Sequence, residues 1–178
     1  TGGNDVIDFT GAVTLGANVT VTGAGGAAGD AVSFSSTVDA DDSTTNVRSL
    51  TVAAGPGNIS VSGAIGAAAN GEVTGGVSLT GGQIDTLGIT TTAVQDETAG
   101  GAVTVTGSGA VTIGGAVTSR GGPDSGPDGG HDGGNVTLEG TTVEVSAIDT
   151  LGSDAGGGGA NGGAGGTVSA DATGGSPT

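Results

Sequence analysis

The chain of 178 residues contains 43 glycines and only two phenylalanines, with no Cys, Met, Trp or Tyr. This composition excludes a core filled by large side chains, a disulfide framework and thiol chemistry. Its formal net charge is −16, with only two Lys and Arg residues together, which argues against nucleic acid and anionic membranes as partners because both require a basic patch. There is no initiator Met, signal peptide or long apolar run, so membrane insertion is not expected, and the chain is interpreted as a mature product or an excised segment.

Pairs of apolar residues separated by one residue recur along nearly the whole chain. The spacing places both apolar side chains on one face of a strand and a Thr, Ser or similar residue on the other. Most of these residues are Val, which favours strands over helices. We predict short strands at Val13/Leu15, Val19/Val21, Val32/Phe34, Leu50/Val52, Ile59/Val61, Val77/Leu79, Leu87/Ile89, Val103/Val105, Val111/Ile113, Val136/Leu138 and Val143/Val145.

A longer unit groups these strands, with apolar residues spaced as h-x-h-x-x-x-h. Copies begin at Val13, Ile59 and Val111, and a version one residue shorter begins at Val143. Each copy is followed by a glycine-rich segment and then by another strand. The segments differ in length, which predicts loops that project from one repeated position of a solenoid. These predicted loops are 23–30, 66–76, 120–134 and 152–166.

The repeats predict an all-β fold, a parallel β-helix (solenoid) with glycine-rich loop insertions. Residues 1–173 would form a single domain of about five to six rungs, and 174–178 a C-terminal tail. An antiparallel β-sandwich also uses short alternating strands. It is disfavoured because its inner layer, about 10 Å thick, needs bulkier side chains than Val and Ala.

Three stretches resemble the repeating units of large secreted bacterial β-helix proteins. They read "GAVTLGANVTVTGAG", "SLTVAAGPGNISVSGAIG" and "GGQIDTLGITTTAVQ". The resemblance is to the filamentous-haemagglutinin-like or β-strand-repeat adhesins, and it extends as a low-complexity pattern over residues 6 to 173. It implies a right-handed coil on a cell surface or in a secreted fibre, with a role in adhesion, matrix formation or a stalk. It transfers no catalytic or binding residue.

The stretch "SRGGPDSGPDGGHDGG" (119–134) contains the candidate metal ligands Asp124, Asp128 and Asp132. With glycine carbonyls, these carboxylates offer several of the six to eight oxygen ligands that Ca²⁺ takes. Their spacing matches no rigid calcium loop, so a solvated, flexible loop with Asp and Gly in its turns is the alternative. The single histidine, His131, lacks partners for a zinc site.

Three sequons make Asn18, Asn58 and Asn135 candidate glycosylation acceptors. Each stands at the start of a predicted strand, where Asn serves equally well as a turn residue.

Rows of threonine, as in Thr20-Val-Thr22 and Thr104-Val-Thr106, resemble the hydroxyl arrays of ice-binding β-helices. Such an array needs T-x-T in every rung, and Ser, Glu and Gly interrupt it here. Solvent-facing strand residues are the simpler interpretation.

These features predict a structural extracellular protein: a β-helical subunit or segment of a bacterial surface fibre, stalk or adhesin. It would assemble end to end with copies of itself or with adjoining repeats, because a solenoid exposes unpaired edges at its ends. Catalysis is not expected, since His131 has no evident nucleophile beside it. No cofactor other than Ca²⁺ is considered. The alternatives are a module that binds glycans or a host protein through the projecting loops and, third, an ice-binding β-helix.

Overall fold

The computed structural model describes residues 6–23, 31–95, 98–126, 129–156 and 161–174. These residues form β-strands and no helix, so none of them belongs to a helix that could span a membrane. The strands in chain order are β1 (Val6–Phe9), β2 (Val13–Leu15), β3 (Val19–Thr22), β4 (Ala31–Phe34), β5 (Val38–Ala40), β6 (Leu50–Ala53), β7 (Asn58–Val61), β8 (Val77–Gly81), β9 (Ile84–Thr86), β10 (Ile89–Thr90), β11 (Val103–Gly107), β12 (Val111–Thr118), β13 (Val136–Gly140), β14 (Val143–Asp149) and β15 (Val168–Ala172).

The chain winds as a right-handed parallel β-helix, which confirms the predicted fold. Face A contains β1, β4, β7, β9 and the first halves of β12 and β14. Face B contains β2, β5, the bridging residue Ile65, β10 and the second halves of β12 and β14. Face C is the six-stranded sheet β3, β6, β8, β11, β13 and β15. Each rung supplies one segment to each face, and together the three faces are called the β-helix body.

Apolar side chains stack in ladders inside the β-helix body. The strand pairs are parallel, and their register shifts only in the pair β12–β14, between Ile113 and Ala116. Equivalent residues of successive rungs therefore lie directly above one another. The only two phenylalanines, Phe9 and Phe34, stack face to face with ring centroids 4.6 Å apart. One ladder of face A consists of Ile7, Val32, Ile59, Ile84, Val111 and Val143. Small β-branched residues thus fill a narrow core, which needs little aromatic volume.

The repeated unit begins earlier in the chain than predicted. The spacing h-x-h-x-x-x-h occurs at Ile7, Phe9 and Val13, with the first two residues on face A and the third on face B. The copy predicted to begin at Val13 is therefore wrong, because Val13 and Leu15 both lie on face B.

The predicted strand pair Leu87/Ile89 is also wrong. Leu87 is 54 % exposed, while Ile89 is buried on face B. The inward pair of face A in this rung is Ile84 and Thr86, which belong to β9. Thr86 is fully buried between Val61 and Ile113, and its hydroxyl has no hydrogen-bond partner among the described residues.

The connections at the corner between faces B and C include the longest of the chain. They lengthen along the axis, from 16–18 in the first rung through 41–49, 66–76, 91–102 and 119–135 to 150–167 in the last. Two of these loops, 41–49 and 91–102, were not predicted. Segment 23–30 instead joins face C of one rung to face A of the next, so the predicted single position is wrong for this segment, of which 24–30 lies outside the described residues.

Candidate functional site: the stacked corner loops

The five loops from 41–49 to 150–167 form a second body, here called the corner lobe. Its last two loops stack on each other through hydrogen bonds between their described residues. Backbone hydrogen bonds join the two loops, with the N–H groups of Gly121, Gly133 and Ser153 donating to the carbonyls of Leu151 (3.0 Å), Ala164 (2.9 Å) and His131 (2.9 Å). Others close loop 150–167 on itself, from Gly163 N–H to the Ser153 carbonyl (2.9 Å) and from Gly166 N–H to the Thr150 carbonyl (2.8 Å).

Glycine is required in the corner lobe because the backbones approach too closely for a side chain. A Cβ atom on Gly163 would lie 2.0 Å from the His131 carbonyl oxygen, and one on Gly133 would lie 1.9 Å from that of Thr150. Gly165, by contrast, has its nearest neighbour at 3.5 Å. At Gly133 and Gly163, the absence of a side chain allows the backbones of the two loops to pack closely; it is not there to make the chain flexible.

Hydroxyl side chains close the neck of the lobe, where each loop leaves face B. Thr91, Ser119 and Thr150 each directly follow a face B segment. The hydroxyls of Thr91 and Ser119 are buried and both donate to the Gly101 carbonyl, at 2.6 and 2.7 Å. Thr150 donates to the Gly166 carbonyl at 3.0 Å. Sequence reasoning missed these residues, although the recurrence of Thr or Ser directly after a face B segment is a detectable signal.

The predicted metal ligands Asp124 and Asp132 bind backbone amides in the structure. Asp124 accepts Gly126 N–H at 2.8 Å and Gly156 N–H, in the next loop, at 2.9 Å. These amides, Gly156 foremost, hold the pKa of Asp124 below its usual value because they stabilise the carboxylate. Asp132 accepts Ala164 N–H at 2.7 Å. Both carboxylates therefore join the loop 119–135 to the loop 150–167.

His131, in loop 119–135, also contacts loop 150–167. The backbone N–H of His131 donates to Ser153 Oγ at 2.8 Å, and its backbone carbonyl oxygen accepts the backbone N–H of Ser153 at 2.9 Å. The Nε2 atom is buried and has no partner in the described part of the chain.

The calcium site stays a prediction. Asp128, the central candidate ligand, lies outside the described residues. Within the described ranges, no three or more His, Cys, Asp or Glu residues are grouped so that they could hold a metal ion.

The three sequon asparagines join successive rungs. Asn18 Oδ1 accepts Ser49 N–H at 3.0 Å, Asn58 Oδ1 accepts Gln83 N–H at 2.8 Å, and Asn135 Oδ1 accepts Thr167 N–H at 2.9 Å. Each asparagine lies at or directly before the start of a strand. These asparagines therefore act as turn residues whose side chains link successive rungs. Their glycosylation stays a prediction.

Both arginines of the chain form ion pairs at the corner lobe. Arg48 contacts both carboxylate oxygens of Asp41 at 2.9 Å, and Arg120 pairs with Asp149 at the end of β14. The arginine partner in each pair lowers the pKa of Asp41 and of Asp149. Because these are the only Lys and Arg residues in the sequence, none is left to pair with the other carboxylates.

Ser43 connects the first loops of the lobe. Its buried hydroxyl donates to Glu72 at 2.5 Å, and its carbonyl accepts Gln95 Nε2 at 3.2 Å. A single residue of loop 41–49 thus links the two loops that follow. Nothing in the sequence pattern marks this residue, because its partners lie 29 and 52 positions away.

Comparison with known proteins found no matching family model, curated protein or solved structure. The resemblance to haemagglutinin-like adhesins therefore stays a prediction.

Proposed function

We propose that this protein is a structural segment of a bacterial extracellular fibre, stalk or adhesin, extended at both ends of its axis by further β-helical rungs. The β-solenoid fold is consistent with a structural or surface repeat protein. The single observation that carries the proposal is that both terminal rungs have unpaired strand edges and exposed apolar residues within the described part of the chain.

The terminal strands pair on one side only among the described residues. In the first rung, β1, β2 and β3 pair only with β4, β5 and β6. In the last rung, β14 and β15 pair only with β12 and β13. Unpaired edges of this kind present rows of backbone donors and acceptors to another strand.

Within the described ranges, no residue covers the inward ladders at either end. Every residue of β15 is exposed, including Val168 at 49 %, whereas the equivalent Val103 and Val136 are buried. At the other end, Ile7 and Phe9 are only partly buried. A further rung would cover these apolar side chains, which favours association.

The two ends match each other in register. If a second copy continued the coil, its Ile7 would follow Val143 in one ladder and its Val19 would follow Val168 in another. Apolar residues then meet apolar residues at each inward position of face C. The corner lobe matches less well, because the long loop 150–167 would meet the short link 16–18.

The function within such a fibre is mechanical, not catalytic. Hydrogen bonds between rungs run along the axis on three faces, so extension must break several of them together. The net charge of −16 keeps separate fibres apart, which favours linear over lateral association.

The experiment follows the association state of the chain by sedimentation velocity and negative-stain electron microscopy over a range of concentrations. The wild-type chain is expected to form linear particles one β-helix wide. Ala170→Lys places a charge at an inward position of β15 and is expected to abolish them. Ser169→Lys, on the outward side of the same strand, is the matched control and should leave them intact.

Two results would overturn the proposal. One is a wild-type chain that stays monomeric up to its solubility limit. The other is linear particles that survive Ala170→Lys, because association would then use another surface.

A further inference from the structure

The outward side of face C carries an unbroken column of hydroxyl groups. It contains one hydroxyl residue from each rung, in register from strand to strand: Thr20, Thr51, Ser78, Thr104, Thr137 and Ser169. The two end residues are exposed and the four between them are half-buried. Neighbouring strands in a sheet lie about 4.8 Å apart, so the hydroxyls repeat at that period.

The hydroxyls of this column are available to form hydrogen bonds with a ligand. None of them forms a hydrogen bond with another group among the described residues. On face A, by contrast, the outward column includes Asp8, Asp85 and Glu144, and the Ser33 hydroxyl donates to Asp8 at 2.5 Å. The face C column carries no charge.

A second, shorter array runs beside this column. Thr22, Thr80 and Thr106 lie two residues along their strands from members of the column, at a distance of about 7 Å. Ala53 interrupts this second row, and Glu139 and Asp171 replace the hydroxyl in the last two rungs. The two-column pattern is therefore confined to the first four rungs, while the single column runs the full length.

The ligand that fits is a flat, periodic and uncharged surface. Threonine is stiff about χ1, and a paired sheet holds its backbone, so the spacing of the hydroxyls is preset. Each hydroxyl binds water as donor or acceptor, and the column therefore orders a row of waters at the period of the sheet. A polysaccharide surface would also call for aromatic stacking platforms, and the chain has no Trp or Tyr.

We propose that face C binds the surface of ice through waters held by this hydroxyl column. A single chain is sufficient for such binding, so the inference does not depend on end-to-end assembly. The two-column T-x-T array described from the sequence is incomplete, so the proposal rests on the single column of Thr and Ser, which is complete in all six rungs.

The test measures thermal hysteresis, and the fraction of the chain incorporated into a slowly growing ice hemisphere. The triple variant Thr51→Val, Thr104→Val and Thr137→Val removes three hydroxyls with little change in shape or strand propensity. Its incorporated fraction is expected to fall on the order of tenfold. The matched control, Ser60→Ala with Thr112→Val, removes two hydroxyls from the outward side of face A and should bind ice as the wild type does.

The single variant Thr104→Val serves if the triple variant does not fold, as judged by its circular dichroism, and it should show a smaller loss of incorporation. Exclusion of the wild-type chain from ice, to the same extent as a soluble protein without ice affinity, would overturn the proposal. So would equal incorporation of the variants and the control, or binding to insoluble chitin or cellulose without binding to ice. Sedimentation of the same samples reports assembly separately, so failure of one proposal does not decide the other.

Discussion

The β-helix body and the corner lobe are both stacks of successive turns. Side chains hold the body together, whereas backbone groups hold the last two layers of the lobe together. In the body, side chains such as Val32, Ile59 and Leu79 are fully or almost fully buried in continuous ladders. In the last two layers of the lobe, glycine backbones approach each other directly, and a Cβ at Gly133 or Gly163 would overlap a carbonyl oxygen. One coil can therefore change from side-chain packing to backbone packing at a single corner.

The largest expected effect comes from adding a side chain to the lobe. Gly163→Ala forces the His131 carbonyl away from its position, and we expect a loss of about 1–3 kcal/mol in the free energy of unfolding. Hydrogen exchange should show lost protection in the loop residues 129–135, 150–156 and 161–167, while the strands of face A keep theirs.

The matched control is Gly165→Ala in the same loop, where the new methyl group has ordinary contact distances. Equal destabilisation by the two substitutions would contradict the close packing of the lobe.

A smaller effect of opposite sign is expected in the β-helix body. Thr86→Val replaces a buried hydroxyl, which has no partner in the described part of the chain, by a methyl group in an aliphatic ladder, and this should stabilise the protein by about 1 kcal/mol. Chemical denaturation measures the change. The same substitution at Thr112, on the outward side of face A, should be close to neutral, and a destabilising Thr86→Val would show that the hydroxyl has a role in the core.

The smallest expected effect is a loss of stability of the corner lobe at acid pH. Asp124 has a lowered pKa in the folded protein, so its contribution to stability is complete above its usual pKa of about 4. The contribution is lost as the pH falls through the lowered value, because the protonated carboxyl accepts the amides of Gly126 and Gly156 more weakly.

Two-dimensional NMR at decreasing pH measures this step. The Gly156 amide resonance should move below about pH 4, and in Asp124→Asn this movement should be absent. A Gly156 resonance that moves equally in both proteins would contradict the assigned contact.

Most of the β-helix body could be predicted because its signal is local. Alternation within pairs such as Val103/Val105 determines which side chains face inward, and strand register follows from the pattern. The phase of the larger unit is harder to predict, because Ile7 and Phe9 precede the copy that the pattern suggests at Val13. Thr86 hid another copy, since a polar residue stands where the pattern calls for an apolar one.

The candidate site was predicted less well. Glycine and aspartate in 119–134 are equally typical of a flexible loop and of close backbone packing. Contacts such as Asp124 with Gly156 and Ser43 with Gln95 join loops that lie far apart in sequence. No local pattern reports which of two such loops stacks on the other.

The sequence alone determined that the chain forms short strands around a narrow core, because alternation and small β-branched residues act within a few positions of each other, and the recurring unit favoured a parallel coil. Only the tertiary structure decided that the glycine-rich loops stack into a lobe, and that six hydroxyls align on face C. Both depend on the number of residues in each turn of the coil. That number is set by the pairing of each rung with the rung before it, which joins residues far apart in sequence.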